Sequence, residues 1–109
     1  MAPHTRTYSN LTIEAARLLG ARVSLARRER QWTLKELAER VGVTSNTMHK
    51  VERGDPTIGL GIAFETAAVL GIPLFDQDRA RRRIERGRID DRLAVLPKQV
   101  RKISVDDEF

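Results

Sequence analysis

The stretch from Leu34 to Gly54, LKELAERVGVTSNTMHKVERG, constrains the fold of this chain more than any other. Its apolar residues Leu37, Ala38 and Val41 recur at helical spacing, stop at Gly42-Val43-Thr44, and resume with Met48 and Val51. Thr33-Leu34-Lys35-Glu36 reads as a capping box, in which Thr33 and Glu36 satisfy each other's end of the backbone. Trp32 and Leu37 are spaced to form a hydrophobic staple, and so are Val43 and Met48 around the second cap, Thr44. Gly42 accepts the left-handed conformation that a tight stop requires. Gly54 and Pro56 end the second pattern. Two short helices, each apolar on one side, joined by a sharp turn and crossing at the small Ala38, make residues 33–53 a helix-turn-helix.

The flanking sequence supplies the rest of a helical bundle. From Thr12 to Arg30, Ala15, Ala16, Leu19, Val23 and Ala26 predict a first amphipathic helix, closed by Gln31 and Trp32 and preceded by a flexible arm, residues 1–11. A fourth helix starts at Thr57 or Gly59 and carries Leu60, Ile62, Ala63, Ala67 and Leu70, the most hydrophobic run and the expected central core helix. Gly71-Ile72-Pro73-Leu74-Phe75 reads as a turn into a short further helix, with Leu74 and Phe75 folded back to plug the core. After Asp76, seven arginines from Arg79 to Arg92 surround the sparse apolar anchors Ile84, Ile89, Leu93, Val95 and Leu96. That pattern predicts one more helix, weakly held in a monomer. The expected organisation is therefore an arm (1–11), a helix-turn-helix domain (12–76), and a basic helical extension with a short tail (77–109) for dimer or partner contacts.

Composition narrows the function. A net charge of +5 and a pI near 10.4 favour a polyanionic partner, because Lys and Arg displace counterions from phosphates. With no cysteine there are no disulfides, thiolate zinc sites or thiol nucleophiles. No phosphate loop, metal-ligand cluster or catalytic constellation is present; Ser45 and His49, one helical turn apart, lack a third group to orient them. An enzyme, a cofactor and a metal are not expected. No stretch approaches the ~20 apolar residues of a membrane span, so a cytoplasmic location is expected.

With these motifs in place, residues 18–75 resemble the phage-repressor or Xre-like helix-turn-helix domain, through LARRERQWTLKELAERVGVTSNTMHKVERG and the next helix up to LGIPLF. The resemblance implies an all-α, compact five-helix domain whose third helix enters the DNA major groove. It also implies an ion pair between Arg27 and Glu52, which would lock the first helix to the end of the third. Because Met48 and Val51 point inward, the base-facing set is Ser45, Asn46, His49 and Lys50, while Thr33, Lys35, Thr44 and Arg53 face phosphates. Leu34 stands where many family members carry a DNA-contacting Gln, and Gly59 where Ser or Thr more often caps the fourth helix.

The tail, LAVLPKQVRKISVDDEF, is similar to that of HipB-like antitoxins, which bind and restrain a HipA-like serine/threonine kinase toxin. That likeness implies a partner-binding tail using Val100, Ile103, Val105 and Phe109. The combined expectation is a homodimeric repressor that binds an inverted-repeat operator and autoregulates its operon as an antitoxin. Two other regulators or binders fit: a stand-alone Xre-family regulator, and a protein-interaction adaptor using the basic tail. An RNA-binding adaptor fits the charge but leaves Ser45, Asn46 and Lys50 without a role. The arginine run reads equally as a solvated helix surface or as a grip on phosphates or an acidic partner, and His49 as a base contact or a solvent-facing side chain.

Overall fold

The computed structural model describes residues 6–102. They form five helices, α1 (Asn10–Glu29), α2 (Leu34–Val41), α3 (Ser45–Glu52), α4 (Leu60–Leu70) and α5 (Arg79–Ala94), with no strand among the described residues. The chain is all-α. It divides into two compact units, Met1–Leu74 with α1 to α4 and Phe75–Phe109 with α5.

Local chemistry sets the helix ends. Ser9 opens α1 by accepting a hydrogen bond from the Thr12 amide (3.3 Å), so α1 begins at Asn10, two residues before the apolar pattern does. Thr33 and Thr44 cap α2 and α3 through the Glu36 and Thr47 amides, at 3.1 Å each. Glu36 reaches back to the Thr33 hydroxyl, which donates to its Oε1 at 3.3 Å. At the other end, α2 stops at Gly42, whose φ of 87° is the left-handed geometry that only glycine adopts cheaply. Gln31 ends α1 at φ 59°, and the Trp32 amide closes the turn onto the Arg27 carbonyl at 3.1 Å. α4 starts at Gly59 with no side-chain cap.

The core of the first unit lies where α1, α2 and α3 meet. Val23, Leu37 and Met48 are fully buried, joined by Ala38, Val51 and Leu70. Burying a side chain such as Leu37 contributes about 1.5–3 kcal/mol. Trp32, Leu34, Val41, Val43, Ile58 and Ile62 pack around this cluster. The position of Leu34 accounts for the apolar residue after the α2 cap: it turns to its own core. Arg30 and Arg40 stack on the Trp32 ring, 5.5 and 4.0 Å from its centroid.

Three expectations are corrected. α4 is not the central helix: it faces the core with Thr66, Ala67 and Leu70, while Leu60 is exposed at its uncapped start. Ala15 is exposed, so the inward stripe of α1 runs through Ala16, Leu19, Val23 and Ala26. The segment after Gly71 forms no helix before Arg79, and Leu74 and Phe75 are exposed by 38% and 66% rather than plugging the core. The physical reason is polar. Asp76 accepts from the Asp78 amide at 2.9 Å, and Asp78 caps α5 through Ala80 at 2.8 Å. Pro73 also disfavours helix at the residue before it. Helix formation is thereby delayed to the arginine run, and α5 buries no side chain.

One close approach joins residues far apart in the chain. Gly20, midway along α1, lies against the end of α3, where an added Cβ would stand 2.5 Å from the Glu52 carbonyl oxygen and 2.7 Å from that of Val51. Both obstacles are backbone. Gly20→Ala is therefore expected to destabilise the fold by about 1–3 kcal/mol in chemical denaturation. By contrast, Gly87→Ala in α5, where nothing lies within 4 Å, should not destabilise and gains about 1 kcal/mol of helix propensity.

Candidate nucleic-acid interface

α3 divides its side chains between two environments. Met48 and Val51 are buried in the core, and Ser45, Asn46, His49 and Arg53 are exposed, with Lys50 half-buried beside them. These five residues occupy one side of a two-turn helix, since steps of one, three and four residues keep side chains within a half-circle. The arrangement offers hydroxyl, amide, imidazole, ammonium and guanidinium groups along one ridge, the chemistry that base edges and phosphates accept. Thr33 and Lys35 lie at the exposed N-terminus of α2, and Thr44 at that of α3. The threonine hydroxyls are engaged as caps, Thr44 pairing with Thr47 Oγ1 at 3.0 Å, so what these ends present outward is backbone amide and helix dipole.

The ridge is held from behind by one ion pair. Arg27 Nε and Nη2 donate to Glu52 Oε2 and Oε1 at 2.6 and 3.1 Å, and Nη1 donates to the Trp32 carbonyl at 2.8 Å. The two side chains are only 13% and 10% exposed. The hydrogen bond to Glu52 raises the Arg27 pKa above its ordinary value against the opposing effect of burial. Glu52 alone would set negative charge at the carbonyl end of α3; Arg27 neutralises it and ties α1, the α1–α2 turn and α3 at one point.

A second fixture follows α3. Asp55 Oδ1 accepts from the amide and hydroxyl of Thr57 at 2.8 and 2.6 Å, and its Oδ2 lies 3.6 Å from Arg53 Nη2. These contacts, the Thr57 bonds foremost, hold the Asp55 carboxyl below its usual range. Arg6, Arg17 and Arg53 line a cleft here with Tyr8 and Gly54, extending the basic edge beyond the ridge. Arg6 and Arg17 were not singled out from sequence, because nothing in local spacing brings residues 6, 17 and 53 together. In the second unit, Arg81, Arg82 and Arg86 are engaged with Asp76, Asp78, Asp90 and nearby carbonyls. Arg79, Arg83, Arg88 and Arg92 make no ion pair among the described residues. Val100 is exposed, whereas Ile103, Val105 and Phe109 lie outside the described residues.

A family model described as a helix-turn-helix domain matches residues 18–74, more than half of the chain. The chain belongs to the helix-turn-helix family. The matched segment runs from the middle of α1 through α4 and includes the whole ridge, while α5 falls outside it. A search of curated proteins finds no match. Helix-turn-helix domains are DNA-binding modules of regulators, and such domains place their second helix in the major groove. Among the described residues there is no group of acidic or histidine side chains able to hold a metal, and no helix is long and apolar enough to cross a membrane.

The Asp55 turn gives a pH prediction. A carboxyl whose folded pKa is depressed contributes stability that is complete above its unfolded pKa and is lost as pH falls through the folded one. Asp55→Asn should therefore lower the thermal midpoint at neutral pH. The gap to the parent should survive while ordinary carboxylates protonate and close only at more acidic pH. A gap independent of pH would contradict a depressed folded pKa for Asp55.

Proposed function

We propose that this protein is a sequence-specific, homodimeric DNA-binding repressor that reads an inverted-repeat operator. The observation that carries the reading is the division of α3, with Met48 and Val51 buried and Ser45, Asn46, His49 and Arg53 exposed on a capped, rigidly anchored helix. Asn46 suits a bidentate contact to adenine, and Lys50 a guanine or a phosphate. Ser45 and His49 add hydrogen bonds to neighbouring base edges. Thr33, Lys35, Thr44 and Arg53 supply the flanking phosphate contacts that fix register. In a dimer, the two recognition helices meet successive major grooves about 34–36 Å apart.

The more specific reading is an antitoxin that represses its own operon and restrains a HipA-like kinase in the cytoplasm. It is supported by the likeness of the segment from Leu93 onward to HipB-like tails and by the α5 cations that form no ion pair among the described residues, which suit an acidic partner surface. Deletion of residues 97–109 is expected to abolish capture of such a kinase while leaving duplex binding intact. Parallel loss of both activities would instead assign the tail to folding or dimer formation.

Duplexes selected from a random library test the DNA reading. Asn46→Ala should cost about 1–3 kcal/mol of discrimination at one base position, whereas Lys35→Ala should weaken all duplexes alike and reduce the salt slope by about one. An unchanged base preference in the first variant, or a sequence-selective loss in the second, contradicts the assignment of these residues.

A further inference from the structure

The face of α1 turned away from the core carries a feature that neither folding nor DNA reading uses. Leu11, Leu18 and Leu25 are 75%, 55% and 59% exposed. A spacing of seven residues is nearly two helical turns, so the three leucines form one row about 21 Å long. Ala15, Ala21, Glu14 and Arg22 flank the row and are also exposed. Neither Glu14 nor Arg22 takes part in an ion pair or side-chain hydrogen bond among the described residues.

The row is symmetric about Leu18. Three residues to either side stands an alanine, Ala15 and Ala21; four residues to either side stand Glu14 and Arg22; seven residues to either side stand Leu11 and Leu25. An antiparallel copy of the same helix, placed with the two-fold axis at Leu18, sets Leu11 on the partner's Leu25, Glu14 on the partner's Arg22 and Ala15 on the partner's Ala21. That is the condition for an isologous contact, in which one patch complements itself. Parallel pairing would oppose Glu14 to Glu14 and Arg22 to Arg22, so charge selects the antiparallel arrangement. The alanines permit close approach of the backbones.

We infer that the outer face of α1 is a self-association surface whose occupant is the antiparallel α1 of a second copy of this chain. An unrelated helix would gain nothing from the symmetry, and a row carrying one charge of each sign favours neither an acidic nor a basic partner. A single helix pair of this length falls short of the ~1,600 Å² of a standard interface, so this contact by itself gives a concentration-dependent dimer. It supplies a surface for the dimer of the proposed repressor, but it is measured without DNA, and its failure leaves the reading of α3 untouched.

The chain lacks cysteine, so single-cysteine variants of the full-length protein report the register directly. Under mild oxidation Leu18→Cys should crosslink with itself. Leu11→Cys and Leu25→Cys should each remain monomeric alone and crosslink when mixed. In sedimentation, Glu14→Arg and Arg22→Glu should each weaken self-association several-fold, and the two together should restore it. All five positions are exposed, and helix content by circular dichroism verifies that each variant folds. Crosslinking of Leu18→Cys no greater than that of Glu65→Cys on α4, self-crosslinking of Leu11→Cys, or failure of the double charge reversal to restore association would overturn the inference.

Discussion

The Arg27–Glu52 pair is the constraint on which the rest of the first unit depends. A guanidinium and a carboxylate held almost out of water are costly unless their donors and acceptors are met. Here they are met by two mutual bonds and a third to the Trp32 carbonyl. Removing either partner would leave a buried charge and cost about 3–5 kcal/mol. The geometry matters as much as the energy. Gly20 lets the α1 backbone come against the last carbonyls of α3, and Arg27 then fastens that contact from the next turn but one. Arg30 adds a second tie from α1, donating to the Leu70 carbonyl at the end of α4 at 2.8 Å.

This anchoring bears on the proposed contact with DNA. α3 is only eight residues long, and a helix of that length has little stability of its own. Its outward side chains can address successive base edges only if the core side is fixed. Met48 and Val51 in the core, the Thr44 cap and the Glu52 latch fix it at three points, and the Asp55–Thr57 turn holds the chain as it leaves. The polar ridge from Ser45 to Arg53 is thus presented on a rigid support, which limits the ordering cost that binding would otherwise incur.

Much of this was legible in sequence because it is local. Thr33, Gly42 and Thr44 act within four residues of themselves, and the inward positions of Leu37, Ala38, Met48 and Val51 follow from helical period alone. What was illegible depended on distance in the chain. Gly20 reads as an ordinary helix-weakening glycine until Val51 and Glu52 are placed against it, and the cleft of Arg6, Arg17 and Arg53 exists only once three segments converge. The errors have a common cause as well. Hydrophobicity suggested a central α4 and a core plug at Leu74 and Phe75, whereas α4 turns only Thr66, Ala67 and Leu70 fully inward, and the Asp76 turn with the Asp78 cap decided where the next helix begins. In α1, apolar residues on two sides blurred the inward stripe, since Leu11, Leu18 and Leu25 belong to an outer row.

In the proposed complex the outward side of α3 meets DNA while its inward side remains in the core. The most direct test is an amide and side-chain NMR titration of the full chain with a selected duplex at low salt. The largest shifts are expected on Ser45, Asn46, His49, Lys50 and Arg53 and at the starts of α2 and α3, with Val23 and Leu37 little changed. Shifts confined to the arginines of α5, with α3 unmoved, would contradict it.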